Sequence, residues 1–230
     1  MSVTDNIASV EERIQKACAS AGRKRKEVTL MVVTKFIPAV IAQDAFDAGV
    51  RCFGESRVKE AMTKFETFKG EHPELKFHLI GSLQRNKAKL AVGFFDCIQS
   101  VDREELVGEL AKHAPSRNTP LDLLLELHTG EESKSGFADI DGLFRAAEQI
   151  SKCASMRARG LMTMAPLTND EAQIRGSFRQ LVKAQKELGK RFPPAENWAC
   201  LSMGMSNDFE IAIEEGATMV RIGSLIFGDI

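Results

Sequence analysis

At 230 residues and 25.4 kDa the chain is long enough for one or two domains with a substantial core, and α/β barrels often reach this size as a single domain. Hydrophobic residues at 43% and charged residues at 27% exclude disordered, collagen-like and disulfide-scaffold classes. Lys plus Arg at 31 against Asp plus Glu at 32 leaves a net charge of -1, which excludes a broad cationic surface for nucleic acid or anionic lipid but allows a local basic pocket.

The chain opens on a helical pattern, with Ile7, Val10, Ile14, Ala17 and Cys18 three or four apart before Gly22 ends it. Short apolar runs with β-branched residues then alternate with amphipathic segments. The runs predict strands at Val28 to Thr34, Arg51 to Gly54, Phe77 to Ile80, Cys97 to Val101, Leu121 to Leu127, Arg159 to Met164, Trp198 to Ser202 and Met219 to Ile222. Helices are predicted at Ala39 to Ala48, Val58 to Phe68, Asp102 to His113, Ile140 to Cys153, Ile174 to Phe192 and Asp208 to Glu215. Ala114 to Pro120 reads as a surface connection. Strict alternation requires parallel strands with right-handed crossovers, and eight units favour a closed (β/α)8 TIM barrel over a doubly wound sheet. The reading is one domain, residues 1–230, with an added N-terminal helix.

No apolar run approaches the roughly 18 residues that span a bilayer. Met1 to Asn6 lacks the basic and apolar blocks of a signal peptide, so the expected compartment is the cytoplasm. Cys18, Cys52, Cys97, Cys153 and Cys200 are scattered singly and read as reduced, mostly buried thiols. His72, His78, His113 and His128 form no H-x-x-x-H pair, so no metal is expected. The chain has no tyrosine.

In such a barrel the active site gathers where strands end at their C-terminal face. Lys35 directly follows the first strand, which predicts an amine at the barrel mouth in buried surroundings. Desolvation there disfavours the ammonium and suits an amine that forms a Schiff base; the alternative is a lysine whose stem covers apolar surface while its head reaches water. The seventh strand ends in Leu201-Ser202-Met203-Gly204-Met205-Ser206 and the eighth in Arg221-Ile222-Gly223-Ser224. Loops after strands seven and eight often form a phosphate site, with glycines admitting backbone N–H groups and a helix N-terminus facing the anion. Ser202, Gly204, Gly223 and Ser224 are the candidate donors. Arg221 serves either the phosphate, a ligand further across the mouth, or a structural ion pair. Gly130-Glu131-Glu132-Ser133-Lys134-Ser135-Gly136 lacks the ending of a P-loop and reads as a solvated loop after the fifth strand. His78 reads as a satisfied, partly buried histidine. A lysine able to form an imine and a phosphate cup together describe the two ends of pyridoxal 5'-phosphate.

The chain also resembles a known family. Val33-Thr34-Lys35, Phe53-Gly54-Glu55-Ser56, the segment from His78 to Lys87, the segment from Gly130 to Gly136, Arg159-Gly160-Leu161-Met162 and both phosphate-loop strings are similar to the pyridoxal phosphate homeostasis proteins, the YggS/PROSC family. The resemblance implies a barrel like the N-terminal domain of alanine racemase, with the cofactor on Lys35. It implies that Ser202, Gly204, Gly223 and Ser224 hold the phosphate and that Arg221 faces the pyridine nitrogen. Ser56 stands where the family often has asparagine and Ser82 where it often has histidine, so no contact is carried over to either. Ser224 replaces a common threonine and keeps the hydroxyl.

Two functions compete: a racemase-like enzyme, and a protein that binds, buffers or delivers the cofactor to apo-enzymes. Racemisation in the alanine racemase manner needs a lysine and a tyrosine from a second domain, and the sequence contains no tyrosine. A guanidinium facing the ring nitrogen cannot take a proton from it, which leaves the ring a weaker electron sink. The expectation is a monomeric carrier with pyridoxal 5'-phosphate as its ligand, and no nucleic-acid or membrane partner.

Overall fold

Each apolar run is followed by a helix that returns the chain to the same end of the sheet, so the strands lie parallel. The computed structural model describes residues 2–130 and 135–228. Its strands are β1 (Thr29–Val33), β2 (Cys52–Glu55), β3 (Lys76–Leu79), β4 (Cys97–Val101), β5 (Leu121–Glu126), β6 (Met156–Met162), β7 (Cys200–Ser202) and β8 (Met219–Ile222). Each pairs with the next, and β1 pairs with β8 through Leu30–Val220, Met31–Arg221 and Val32–Ile222, which closes the barrel. The chain is thus a (β/α)8 TIM barrel, as the alternation predicts.

Helix α1 (Val3–Ser20) precedes the barrel; α2 (Ala39–Asp47), α3 (Val58–Glu71), α4 (Ala88–Phe94), α5 (Glu104–His113), α6 (Ile140–Ser151), α7 (Glu171–Arg191) and α8 (Phe209–Glu214) follow β1 to β7 in turn, and α9 (Ser224–Phe227) follows β8. Helix α1 starts at a reciprocal cap. Ser2 Oγ accepts the Asp5 N–H at 3.1 Å while Asp5 accepts the Ser2 N–H at 3.0 Å. Its expected apolar face, Ile7 to Cys18, is buried against the barrel's helices. Arg13 pairs with Glu210 of α8 at 2.6 Å, and Asn6 Nδ2 donates to the Ile226 carbonyl of α9 at 2.8 Å.

Several elements differ from the sequence reading. Helices α4 and α9 are not among the predicted helices. Strand β6 begins at Met156 rather than Arg159, because the exposed Arg157 and Arg159, both beside Asp122, break the apolar run. Trp198 closes a 3-10 turn (Ala195–Trp198) instead of opening the seventh strand, which starts at Cys200.

Outward-facing strand residues such as Leu30, Val32, Val220 and Ile222 pack in the main core with the helices. Inside the barrel, Met31, Cys52 and Met219 form one cluster and Cys97, Leu124 and Met162 another. Cys200 touches both clusters, and burial pushes its thiol up to about 11. All five cysteines are free. Among the described residues no helix is long and apolar enough to cross a membrane, and no group of three potential ligands is placed to hold a metal ion.

Candidate functional site

The C-terminal ends of the strands surround a cavity of about 1000 Å³. Lys35, Arg221, Gly223 and Ser224 line it. These four come from β1 and β8, which are adjacent in the barrel although far apart in sequence. Lys35 is exposed, so the expected buried surroundings are corrected: the residue stands at the rim of the mouth, just beyond the buried run that ends at Thr34. Strand pairing explains its place. The Thr34 N–H bonds the Gly54 carbonyl at 3.0 Å, and the ladder stops there.

Gly223 caps α9, whose first turn opens toward the cavity at Ser224. A helix cannot satisfy its own first N–H groups, so this end offers donors to an anion. A Cβ on Gly223 would lie 3.3 Å from both the Cβ and the carbonyl oxygen of Val33, closer than most side chains tolerate. Glycine thus keeps β1 and β8 tight where the lysine leaves the wall.

Ser202 and Gly204 sit behind this surface, and neither lines the cavity. Ser202 is fully buried and its hydroxyl is engaged on two sides: it donates to Gln99 Oε1 at 2.7 Å and accepts from Arg221 Nη1 at 2.9 Å. Gly204 has φ 92°, and a Cβ on it would meet the Ala212 Cβ at 2.6 Å. Its missing side chain therefore admits α8.

Arg221 is 4% exposed and is held by oxygen acceptors. Nη1 donates to the Ser202 carbonyl at 2.7 Å as well as to the hydroxyl, and Nη2 donates to the Thr163 carbonyl at 2.8 Å. Burial pulls the guanidinium down to about 10, so it remains a cation at neutral pH. Gln99 extends the network. Its Nε2 donates to His78 Nδ1 at 2.8 Å and approaches Met219 Sδ at 3.1 Å. His78 is partly buried and satisfied, as the sequence reading expects, and burial lowers it to about 4. Only the unprotonated nitrogen accepts the Gln99 donor, so the observed bond and the neutral ring agree.

Sequence reasoning missed Glu126. It ends β5, is 2% exposed and lines the cavity, with Ser135 Oγ donating to its two oxygens at 3.1 and 3.2 Å. Burial raises its carboxyl to about 7. The signal was present as a carboxylate closing a run of leucines. Ser56, Ser82 and Ser206 also line the cavity, together with the segment 164–169 after β6. Glu131 to Lys134 of the expected solvated loop lie outside the described residues.

The chain matches known proteins over its whole length. The family model for the alanine racemase N-terminal domain matches residues 6–230. A pyridoxal phosphate homeostasis protein of Aquifex aeolicus is 38% identical over 229 residues, covering 100% of this chain and 99% of that protein. A protein of Bifidobacterium adolescentis solved without a known function superposes with a TM-score of 0.91 at 36% identity, over 98% of this chain and 94% of the other. PipY of Synechococcus elongatus PCC7942, solved with PLP bound, superposes with a TM-score of 0.84 at 34% identity, over 98% of this chain and 100% of the other. With a full-length match in sequence and fold, the chain belongs to the pyridoxal phosphate homeostasis protein family.

Proposed function

We propose that the protein binds pyridoxal 5'-phosphate as a Schiff base on Lys35 and buffers or delivers it, as a cytoplasmic monomer, to apo-enzymes that use it. The observation that carries this reading is one cavity lined by a strand-end lysine and, on the neighbouring strand, by a glycine-capped helix start. The residues fit the group: Lys35 supplies an amine, Gly223 and Ser224 supply donors for the phosphate, and the fixed cation of Arg221 lies in the cavity wall, held toward Ser202 and Thr163. PLP bound to PipY supports the ligand choice. Ser202 and Gly204 contribute from behind, by holding Arg221 and by seating α8.

When bound, the cofactor supplies an electrophilic aldehyde and an electron-withdrawing ring. Arg221 stays protonated and donates, so it leaves no acceptor for a proton on the ring nitrogen. The absence of tyrosine from the sequence removes the second base of the alanine racemase arrangement. Both features favour a carrier over a racemase. The test is mass spectrometry and absorption before and after borohydride. The wild type is expected to show an imine band that reduction abolishes and a fixed mass increment on Lys35, and Lys35→Ala neither. An increment of equal yield on another lysine overturns the assignment.

A further inference from the structure

Lys35 leaves the barrel from a turn that is fastened from outside the cavity. The Thr34 carbonyl accepts the Ile37 N–H at 2.9 Å, which closes a four-residue turn with Lys35 and Phe36 at its corner. Phe36 occupies the third position with φ 66°, a left-handed conformation that favours glycine and is unfavourable for a bulky residue. Its side chain is 57% exposed, with the surface Arg57 guanidinium over its ring at 5.6 Å, so it has no buried packing to hold it there. Something else must fix the turn.

The same Thr34 carbonyl accepts a second bond, from Lys64 Nζ of α3 at 2.8 Å. Lys64 is also paired with Glu55 Oε1 at 2.7 Å, and that carboxylate oxygen accepts the Thr34 hydroxyl at 2.6 Å. The N–H, carbonyl and hydroxyl of Thr34 are therefore all tied to β2 and α3. The Glu55 and Lys64 side chains are only 2% and 17% exposed, and neither residue lines the cavity. Helix α3 is itself anchored beside Lys64: Phe65 is fully buried, with ring centroids 5.0 Å from Phe77 and 5.8 Å from Phe53. A buried ion pair is a poor device for stability alone, since desolvation offsets its attraction, but it fixes geometry well.

We propose that Lys64, held by Glu55, is a positioning residue for Lys35: by clamping the Thr34 carbonyl it sets the direction in which the lysine enters the cavity. The inference rests on Lys35 as the imine-forming residue. Covalent attachment needs the amine and aldehyde carbon aligned, whereas a ligand held only by its phosphate and ring does not.

Two ligands separate these contributions. Pyridoxal 5'-phosphate can form the imine, and pyridoxamine 5'-phosphate carries the same ring and phosphate but cannot. Lys64→Met is expected to weaken pyridoxal 5'-phosphate binding, read by the imine band and the borohydride-fixed yield, by about tenfold or more, with pyridoxamine 5'-phosphate affinity unchanged. Lys64→Arg, which keeps a donor for both oxygens, is expected to recover much of the loss. Where Lys64→Met leaves Glu55 buried without its partner and the protein fails to fold by circular dichroism, Glu55→Gln combined with Lys64→Met carries the same comparison, because glutamine still accepts the Thr34 hydroxyl. Equal losses for both ligands, or full imine formation in a folded Lys64 variant, overturn the proposal. Absence of a reducible adduct on Lys35 in the wild type overturns the underlying reading instead.

Discussion

Arg221 carries its charge inside the barrel because Ser202 and Thr163 present three acceptors to it, and Gln99 in turn holds the Ser202 hydroxyl. Ser202→Ala removes one acceptor from the guanidinium and the only described donor to Gln99 Oε1. It is expected to destabilise the fold by about 1–3 kcal/mol, measured by urea unfolding, with a smaller loss in phosphate affinity. A loss in phosphate affinity with no change in stability would restore Ser202 as a direct donor. This arrangement could not be read from the sequence: Gln99 and Ser202 are 103 residues apart, and only barrel closure brings them together. Lys35, in contrast, was legible as the polar residue ending an apolar run. Glu126 ends another such run and carried the same kind of signal.

Two buried groups make opposing contributions to stability across the same pH range. Burial raises the Glu126 carboxyl to about 7, so the folded chain keeps a proton that the unfolded chain releases near 4.5. Its contribution is present at acid pH and is lost as pH rises toward 7. Burial lowers His78 to about 4 from 6.5, so its contribution is present above 6.5 and is lost as pH falls toward 4. Between about 5 and 6.5 the two slopes offset each other. Glu126→Gln is expected to uncover the histidine slope, with stability rising over this interval on the order of 2 kcal/mol; His78→Gln should uncover the opposite one. Urea midpoints at three pH values check this, and identical slopes in wild type and Glu126→Gln would sink it.

Among the elements, α9 and α8 show how similar glycines serve different ends. Gly223→Val places a branched side chain against Val33 at the start of α9, where the phosphate is proposed to sit. The expected result is a loss of roughly 2–4 kcal/mol in cofactor binding, by titration, with a modest effect on folding. Gly204→Val faces both a positive φ and the Cβ of Ala212, so it is expected to lower thermal stability first. Pattern alone gives both loops the same glycine-serine character. Helix α4 escaped the sequence reading because no capping side chain marks its start at Lys87 and its seven residues are few for a period of 3.6 to stand out. The longer helices α1, α2, α3, α5, α6 and α7 declared themselves through repeated apolar faces that the barrel then buries.

At the scale of the whole molecule, the carrier reading predicts chemistry that does not happen. The loaded protein, incubated with each L-amino acid in deuterated water, is expected to exchange α-protons far more slowly than the roughly 10 s⁻¹ median of enzymes, while its cofactor passes to an apo-enzyme or exchanges with free ligand. Exchange at the enzyme median returns the racemase. The pairing of β1 with β8 has a further consequence. Lys35 is made well before its neighbours Arg221, Gly223 and Ser224, which leave the ribosome only after β1 to β7. On the proposed site, a nascent chain therefore cannot capture the cofactor until β8 docks, and capture becomes a report that the barrel has shut. Ligand at a hundredfold excess over its dissociation constant then adds about 2.7 kcal/mol against reopening of that last seam.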